Sequence, residues 1–159
     1  MLDYQVIIVA LLFILAAVLF ILWRKQRSTY SRATGVGLDF MDEAAFERYL
    51  ALLFTRMGYQ VRRVNYADNV SILMATRDGV SYVIQARRNW RKVGIRAIED
   101  AIATRKHLKC ERAIVVTNHF FSNQARKIAK ANQVLTLDRH DLIKEMKRMN
   151  IGWDQKELS

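Results

Sequence analysis

From residue 39 onward, apolar and polar positions alternate with periods that predict helices and strands. An apolar face with helical spacing lies between Asp42, a good N-cap, and Gly58, which ends a helix. Two short apolar runs later in the chain, over residues 70–76 and 80–86, are separated by Arg77-Asp78-Gly79. Asp-Gly between apolar runs is typical of a β-hairpin, because glycine adopts positive φ without a steric cost. The pattern therefore predicts a capped helix and, further on, a hairpin.

The other segments complete an alternation of helices and strands. A strand is predicted over residues 59–64, before the hairpin, and the near-continuous apolar run of residues 112–117 predicts a buried strand. The remaining predicted elements are helices at 95–108 and 123–131, a short strand at 134–137, and a last helix from Asp138 or Asp141 to Lys147. The order αβββαβαβα is typical of an α/β domain with a mixed β-sheet flanked by helices. We assign this domain to residues 39–149 and a tail to residues 150–159.

The first part of the chain has a different pattern. Residues 6–22 are apolar throughout, Tyr4 and Trp23 flank them, and a basic cluster begins at Arg24. Flanking aromatic residues and a basic cluster on the C-terminal side are typical of a transmembrane helix with its N-terminus outside and the following domain in the cytoplasm. The sequence therefore predicts one transmembrane helix as a membrane anchor over residues 1–25.

Charge narrows the choice of partners. None of the 26 lysines and arginines precedes Arg24, and the formal net charge is +11. Residues 26–38 are polar, small and basic, so we expect a flexible linker that lies against anionic headgroups. A strongly basic domain either binds nucleic acid or faces anionic lipid, and charge alone leaves both interpretations open. The single cysteine, Cys110, excludes an intrachain disulfide and a cysteine-built zinc site, and we predict a buried or half-buried thiol there.

The predicted hairpin runs into a dense polar and basic segment at residues 85–92. Cations at the end of a strand bind phosphate, and an indole among them stacks on a base or covers the sheet edge. We expect this segment to bind the DNA backbone, and a solvated basic turn is the alternative. The residues expected to contact DNA are Arg87, Arg88, Trp90, Arg91 and Lys92. The three histidines lack the spacing of metal ligands, so no metal site is predicted from them.

The element order and four motifs together resemble the Mrr-type restriction endonuclease domain, which has the PD-(D/E)xK nuclease fold. The motifs are MDEAAFERYLALLFTRMGYQV, the strand ending IQARR, IVVTNHFFSNQARKIA and LTLDRHDLI. The resemblance extends from about Asp39 to Met146. It implies a restriction-endonuclease-like sheet and DNA as the partner. In active members it implies carboxylates that hold Mg²⁺ and a lysine that orients or activates the attacking water.

The resemblance also places the family's site residues on this sequence, and two of them differ. The family's metal-binding aspartate, in the first hairpin strand, corresponds to Ile72, and its lysine corresponds to Arg87, two residues after Gln85. Glu47 matches the family's glutamate in the first helix, and Asp68 falls on an earlier acidic loop position. Isoleucine cannot bind a hard cation. Arginine cannot take a proton from water, although its fork still binds phosphate.

Three functional hypotheses follow from these observations. The first is a single-pass protein of the bacterial inner membrane whose degenerate nuclease domain binds DNA phosphates, without efficient cleavage and without a cofactor. The second is an active Mg²⁺-dependent endonuclease that uses Asp68 and Glu47. The third is an inert docking module whose partners are membrane proteins or further copies of this chain, with its positive charge directed at lipid or an acidic protein.

Overall fold

The computed structural model describes residues 36–67 and 70–151. Its ten elements follow the predicted order αβββαβαβα, with one short helix added in front. They are α1 (Val36–Phe40), α2 (Glu43–Arg56), β1 (Gln60–Ala67), β2 (Val70–Arg77), β3 (Val80–Arg87), α3 (Ile95–His107), β4 (Arg112–Thr117), α4 (Asn123–Ala131), β5 (Val134–Leu137) and α5 (Arg139–Met149). The predicted alternation of helices and strands is therefore confirmed.

The five strands form one mixed sheet in the order β1-β2-β3-β4-β5. Strands β1 and β3 are each antiparallel to β2, whereas β3, β4 and β5 run parallel to one another. Arg87 pairs with Thr117 and Val116 pairs with Leu137, so the last residues of these three parallel strands lie at one edge. We call this the carboxyl edge of the sheet. Loops that follow parallel strands meet at such an edge, which is a common place for binding sites in α/β folds.

The hairpin between β2 and β3 closes as its sequence predicts. Arg77 pairs with Val80, and the two residues between them have positive φ, 53° at Asp78 and 79° at Gly79. Two central residues with positive φ make the type of tight turn that matches the twist of antiparallel strands, and Asp-Gly favours it.

Helices cover both faces of the sheet. Alternate residues of β3 point to opposite faces, so Ile84 contributes to one apolar cluster and Val83 to the other. The first cluster contains residues of α2 and α5, such as Phe46 and Leu142, and the second contains residues of α3 and α4, such as Ile98. The predicted thiol of Cys110 is confirmed as buried, in the second cluster, and burial raises its pKa.

The domain extends beyond both predicted boundaries. The last three residues of the predicted linker, 36–38, lie in α1, and the Leu38 side chain is fully buried in the first apolar cluster. Ile151, assigned to the tail, is 1% exposed in the same cluster, and its N–H donates to the carbonyl of Met146 at 3.1 Å. Burial of apolar side chains thus fixes both ends of the described region to the core.

The predicted membrane anchor lies outside the described residues, as do residues 26–35 of the predicted linker. None of the helices in residues 36–67 and 70–151 is long and apolar enough to cross a membrane.

Asp138, the first of the two starts that the sequence allowed, is the N-cap of helix α5. The Asp138 carboxylate accepts hydrogen bonds from the N–H groups of His140 and Asp141, and the Asp141 carboxylate accepts one from the N–H of Asp138. Nη2 of Arg126 lies 2.5 Å from Oδ2 of Asp138. Burial disfavours the ionised carboxylate, but the hydrogen bonds from Arg126 and the two N–H groups outweigh burial and lower the pKa of Asp138.

Replacing Asp138 with alanine is expected to lower the free energy of unfolding by about 2 kcal/mol at neutral pH, because both the helix cap and a charge-assisted hydrogen bond are lost. A carboxyl group with a lowered folded-state pKa stabilises the fold above its unfolded pKa, 3.8 for Asp138, and that contribution disappears as the pH falls through the folded value. The difference between wild type and Asp138→Ala should therefore shrink in acid. Thermal unfolding followed by circular dichroism measures it.

The control is Glu99→Ala, which removes an exposed carboxylate from α3. We expect it to change the free energy of unfolding by no more than about 0.5 kcal/mol at neutral pH. Equal losses in the two variants would contradict a stabilising role for the Asp138 cap.

Candidate nucleic-acid interface

The end of β3 carries a connected set of polar side chains that faces α3. Nε2 of Gln85 donates to Oγ1 of Thr104 at 2.9 Å in a buried hydrogen bond, and the Thr104 hydroxyl donates to the carbonyl of Asp100 at 2.8 Å. Nη2 of Arg87 lies 3.2 Å from Oε1 of Gln85 and 3.0 Å from Oδ2 of Asp100. The Arg87 guanidinium is therefore oriented by an amide and neutralised by a carboxylate.

Arg88 turns to the other side of the strand end and contacts α1. Its Nη2 donates to the carbonyl of Asp39 at 3.3 Å, and its guanidinium carbon lies 4.7 Å from the centroid of the Trp90 ring. The Trp90 side chain is 71% exposed, and Arg91 and Lys92 are exposed beside it. The structure thus places the basic segment that the sequence singled out on the loop after β3, at the carboxyl edge.

A second arginine joins three elements at the same edge. Arg139, the first residue of α5, donates from both terminal nitrogens to the Asp39 carboxylate at 2.6 and 2.8 Å, and to the carbonyl of Asn118 at 3.2 Å. The hydrogen bonds with Asp39 raise the pKa of Arg139. Asn118 follows β4, and its Oδ1 accepts from the N–H of Asn89 at 2.8 Å. These contacts fix α1, the loop after β3 and the start of α5 to one another.

Some donors at this edge have no acceptor. Nε of Arg87 and Nε of Arg88 are both buried without a hydrogen-bond partner among the residues that the structure describes. A buried unsatisfied N–H costs free energy, so each such group in a folded protein calls for an explanation. The two side chains lie on opposite sides of the strand end, and a guanidinium group with an unused N–H suits an acceptor-rich anion such as a phosphate.

Glu47 and Arg87 lie on different faces of the sheet. Glu47 pairs with Arg63 of β1, with Oε1 2.8 Å from Nε, and Arg63 is opposite Leu73 in the strand register, on the face covered by α2. Arg87 points towards α3 and pairs with Asp100. Glu47 and Arg87 therefore have different ion-pair partners, Arg63 and Asp100.

Ile72, which the resemblance aligns with the family's metal-binding aspartate, is 4% exposed and belongs to the apolar cluster that contains Val83, Val93 and Ile98. Asp68 lies outside the described residues. Within residues 36–67 and 70–151, no three His, Cys, Asp or Glu side chains are arranged to hold a metal ion.

Sequence reasoning did not identify Asp100, Thr104, Asp39 or Arg139 as members of this edge. Asp100 and Thr104 have a weak signal, because they lie four residues apart on one side of a predicted helix that follows the basic segment. Asp39 and Arg139 have none, since a pair separated by 100 positions becomes visible only in the folded chain.

Comparison with known proteins finds a family model that matches most of the chain. Residues 38–146 match the Mrr_cat family, described as restriction endonuclease. Comparison with curated proteins gives no significant match.

Three solved structures are similar to this chain. The protein of unknown function AF1548 has a TM-score of 0.53 and 22% identity over 60% of this chain and 58% of its own. The DNA modification-dependent restriction endonuclease AspBHI has a TM-score of 0.57 and 15% identity over 67% of this chain and 31% of its own. MspJI restriction endonuclease, in complex with a 27-mer oligonucleotide, has a TM-score of 0.49 and 19% identity over 72% of this chain and 30% of its own. The alignments span less than two thirds of each of these proteins, and at 22% and 15% identity the similarity to AF1548 and AspBHI establishes the fold alone.

Proposed function

Since the chain belongs to the Mrr-type restriction endonuclease family, we propose that it is a membrane-anchored protein whose domain binds the DNA backbone without efficient cleavage. One observation carries this proposal: the loop after β3 presents Arg88, Arg91 and Lys92 around an exposed Trp90 at the carboxyl edge. Cations on exposed loops at a strand end bind successive phosphates, and phosphate contacts supply most of the affinity of sequence-independent binding.

Three side chains support a domain that binds but does not cut. Ile72 has no donor atom and packs in an apolar cluster, so it supplies nothing to a hard cation. Gln85 uses its amide nitrogen on Thr104 and its amide oxygen on Arg87. Arg87 stands where the family has lysine, and its guanidinium stays protonated, so it cannot take a proton from an attacking water. These residues do not fit a bound Mg²⁺, and we derive no metal-assisted step from them.

The membrane part of the proposal rests on the sequence of residues 1–25. An apolar run flanked by Tyr4 and Trp23, with a basic cluster after it, supports a single-pass anchor in the bacterial inner membrane with the domain in the cytoplasm. In that orientation the domain meets chromosomal or invading DNA, and the anchor confines binding to the membrane surface.

The test uses the full chain in a mild detergent with plasmid and short duplex DNA, in the presence of Mg²⁺, Mn²⁺ or EDTA. We expect DNA to be retained equally in all three conditions, without nicking, and retention to fall steeply as salt rises. Metal-dependent nicking that disappears in Asp68→Ala would overturn the proposal in favour of an active endonuclease. If the chain neither retains nor nicks DNA, the result would favour a docking module in a membrane assembly.

Asp100→Asn is expected to increase affinity for duplex DNA about threefold, because it removes the carboxylate that neutralises Arg87 while it keeps the size of the side chain. Fluorescence anisotropy with a labelled duplex at fixed salt measures this change. Asp78→Asn, in the exposed hairpin turn, removes the same charge far from the carboxyl edge and serves as the control. An equal increase in both variants would indicate a response to net charge rather than to Arg87.

A further inference from the structure

Two large aromatic side chains are exposed at the carboxyl edge. The Phe40 side chain is 83% exposed and that of Trp90 is 71% exposed, and Leu135, at 48%, is the one other large apolar side chain that is exposed among the described residues. Exposed rings cost free energy in water unless a partner covers them. Two of them near a cluster of cations therefore call for an explanation beyond phosphate binding.

Arg88 contacts the Trp90 ring and the residue that precedes Phe40. Phe40 directly follows Asp39, whose carbonyl accepts from Nη2 of Arg88 at 3.3 Å, and the Arg88 guanidinium carbon lies 4.7 Å from the centroid of the Trp90 ring. The Asp39 carboxylate is bound to Arg139, and Leu38 is fully buried, so α1 holds Phe40 at this edge. We call Phe40, Arg88 and Trp90 the aromatic platform.

We infer that the aromatic platform stacks with unpaired bases, so that the preferred ligand is DNA with a single-stranded segment. This inference rests on the proposed DNA binding and adds a substrate class to it. In a duplex the faces of the bases are covered by their neighbours, whereas an unpaired base offers a face to an aromatic ring or to a guanidinium plane. Arg91 and Lys92, exposed directly after Trp90, lie where they can hold the phosphates of the same strand.

Charge near Phe40 favours a base over a lipid surface as the occupant. Asp42 and Glu43 are both exposed within three residues of Phe40. A flat anionic membrane that covered Phe40 would bring its headgroups against these carboxylates, and like charges repel. A single base is neutral and small enough to cover one ring without meeting them.

The experiment compares three labelled probes with the full chain in detergent: a 20-nucleotide oligothymidine, the same backbone without bases, and a 20-base-pair duplex. We expect oligothymidine to bind at least fivefold more tightly than the abasic strand at equal salt. Phe40→Ala and Trp90→Ala should each weaken oligothymidine binding about tenfold, the usual effect of removing one stacking partner. Both variants should change binding of the abasic strand by less than twofold. Leu135→Ala, which removes an exposed apolar side chain elsewhere, is the control.

Two results would overturn the inference and would not contradict the proposed DNA binding. One is equal, salt-sensitive binding of all three probes, and the other is no effect of Phe40→Ala and Trp90→Ala on oligothymidine. If none of the three probes shows salt-sensitive binding, the proposed DNA binding itself is contradicted.

A fluorescence measurement shows whether bases or lipid cover the aromatic platform. The double variant Trp23→Phe/Trp153→Phe leaves Trp90 as the single tryptophan. We expect oligothymidine, but not the abasic strand, to quench its fluorescence. The opposite result has two parts: anionic lipid in nanodiscs protects Trp90 from quenching by acrylamide, and oligothymidine does not quench its fluorescence. This result would assign the aromatic platform to the membrane surface and overturn the inference.

Discussion

Reversing the charges of Arg91 and Lys92 together is expected to weaken binding to duplex DNA about a hundredfold at moderate salt. Both side chains are exposed on the loop after β3, and no ion pair within the described residues engages either of them. Each substitution to glutamate removes one phosphate contact and adds a repulsion, and a charge-assisted hydrogen bond contributes about 1.5 kcal/mol or more. The logarithm of the affinity should also fall less steeply with the logarithm of salt, by about 2 in slope.

Fluorescence anisotropy over a range of salt concentrations measures both quantities. The control reverses Lys130 and Lys147, which are exposed and lie near the C-terminal ends of α4 and α5. These ends point away from the carboxyl edge, because α4 leads into the start of β5 and α5 begins where β5 ends. We expect the control to lose affinity no more than about threefold. An equal loss in both pairs would mean that total charge, rather than this loop, determines binding.

Charge reversal at Arg87 would be destabilising in its own right, because Arg87 pairs with Asp100. A glutamate at position 87 would face the Asp100 carboxylate and Oε1 of Gln85, so weaker binding could reflect local unfolding. The exposed pair Arg91 and Lys92 separates recognition from stability.

The sequence could predict those parts of the fold that depend on near neighbours. Asp42 and Ser122 accept hydrogen bonds from the N–H groups three residues later, as N-caps do, and Asp78-Gly79 makes the tight turn between β2 and β3. Each of these features is decided within four residues. Their spacing along the chain then leaves few arrangements other than a mixed sheet flanked by helices.

The candidate site was predictable in its location and not in its contacts. The position of Arg88, Arg91 and Lys92 follows from the end of one strand, which the sequence marks clearly. The partners of the arginines come from distant parts of the chain, because Arg87 meets Asp100 on α3 and Arg139 meets Asp39 on α1. Such pairs depend on how helices pack against the sheet, and a single sequence has no pattern that reports it.

Helix α1 was missed for a different physical reason. It contains five residues, too few for an apolar period, and it lies in a segment whose glycines and polar residues are typical of a linker. Its docking depends on one buried side chain, Leu38, together with the ion pair between Asp39 and Arg139. Tertiary contacts rather than helix propensity therefore determine this element.

Replacing Leu38 with alanine is accordingly expected to lower the free energy of unfolding by about 3 kcal/mol, the usual cost of a buried leucine truncated in a core that relaxes only partly. Leu38 is fully buried in the cluster that contains Phe46, Leu142 and Ile151, so the loss reaches α2, α5 and the end of the described chain. Phe40→Ala, two residues away on the same helix, is the matched control. The Phe40 side chain is 83% exposed, so its removal should change stability by less than about 0.5 kcal/mol.

The two variants are expected to differ in opposite ways in two measurements, thermal unfolding and binding of oligothymidine. Leu38→Ala should destabilise the domain, whereas Phe40→Ala should leave stability unchanged and weaken binding to unpaired bases. Because Leu38 fixes α1 and Phe40 projects from it, this contrast separates the packing of the helix from its contribution to recognition. If the Leu38→Ala variant is as stable as the Phe40→Ala variant, α1 is not docked on the core, and the aromatic platform loses the support that holds Phe40 at the carboxyl edge.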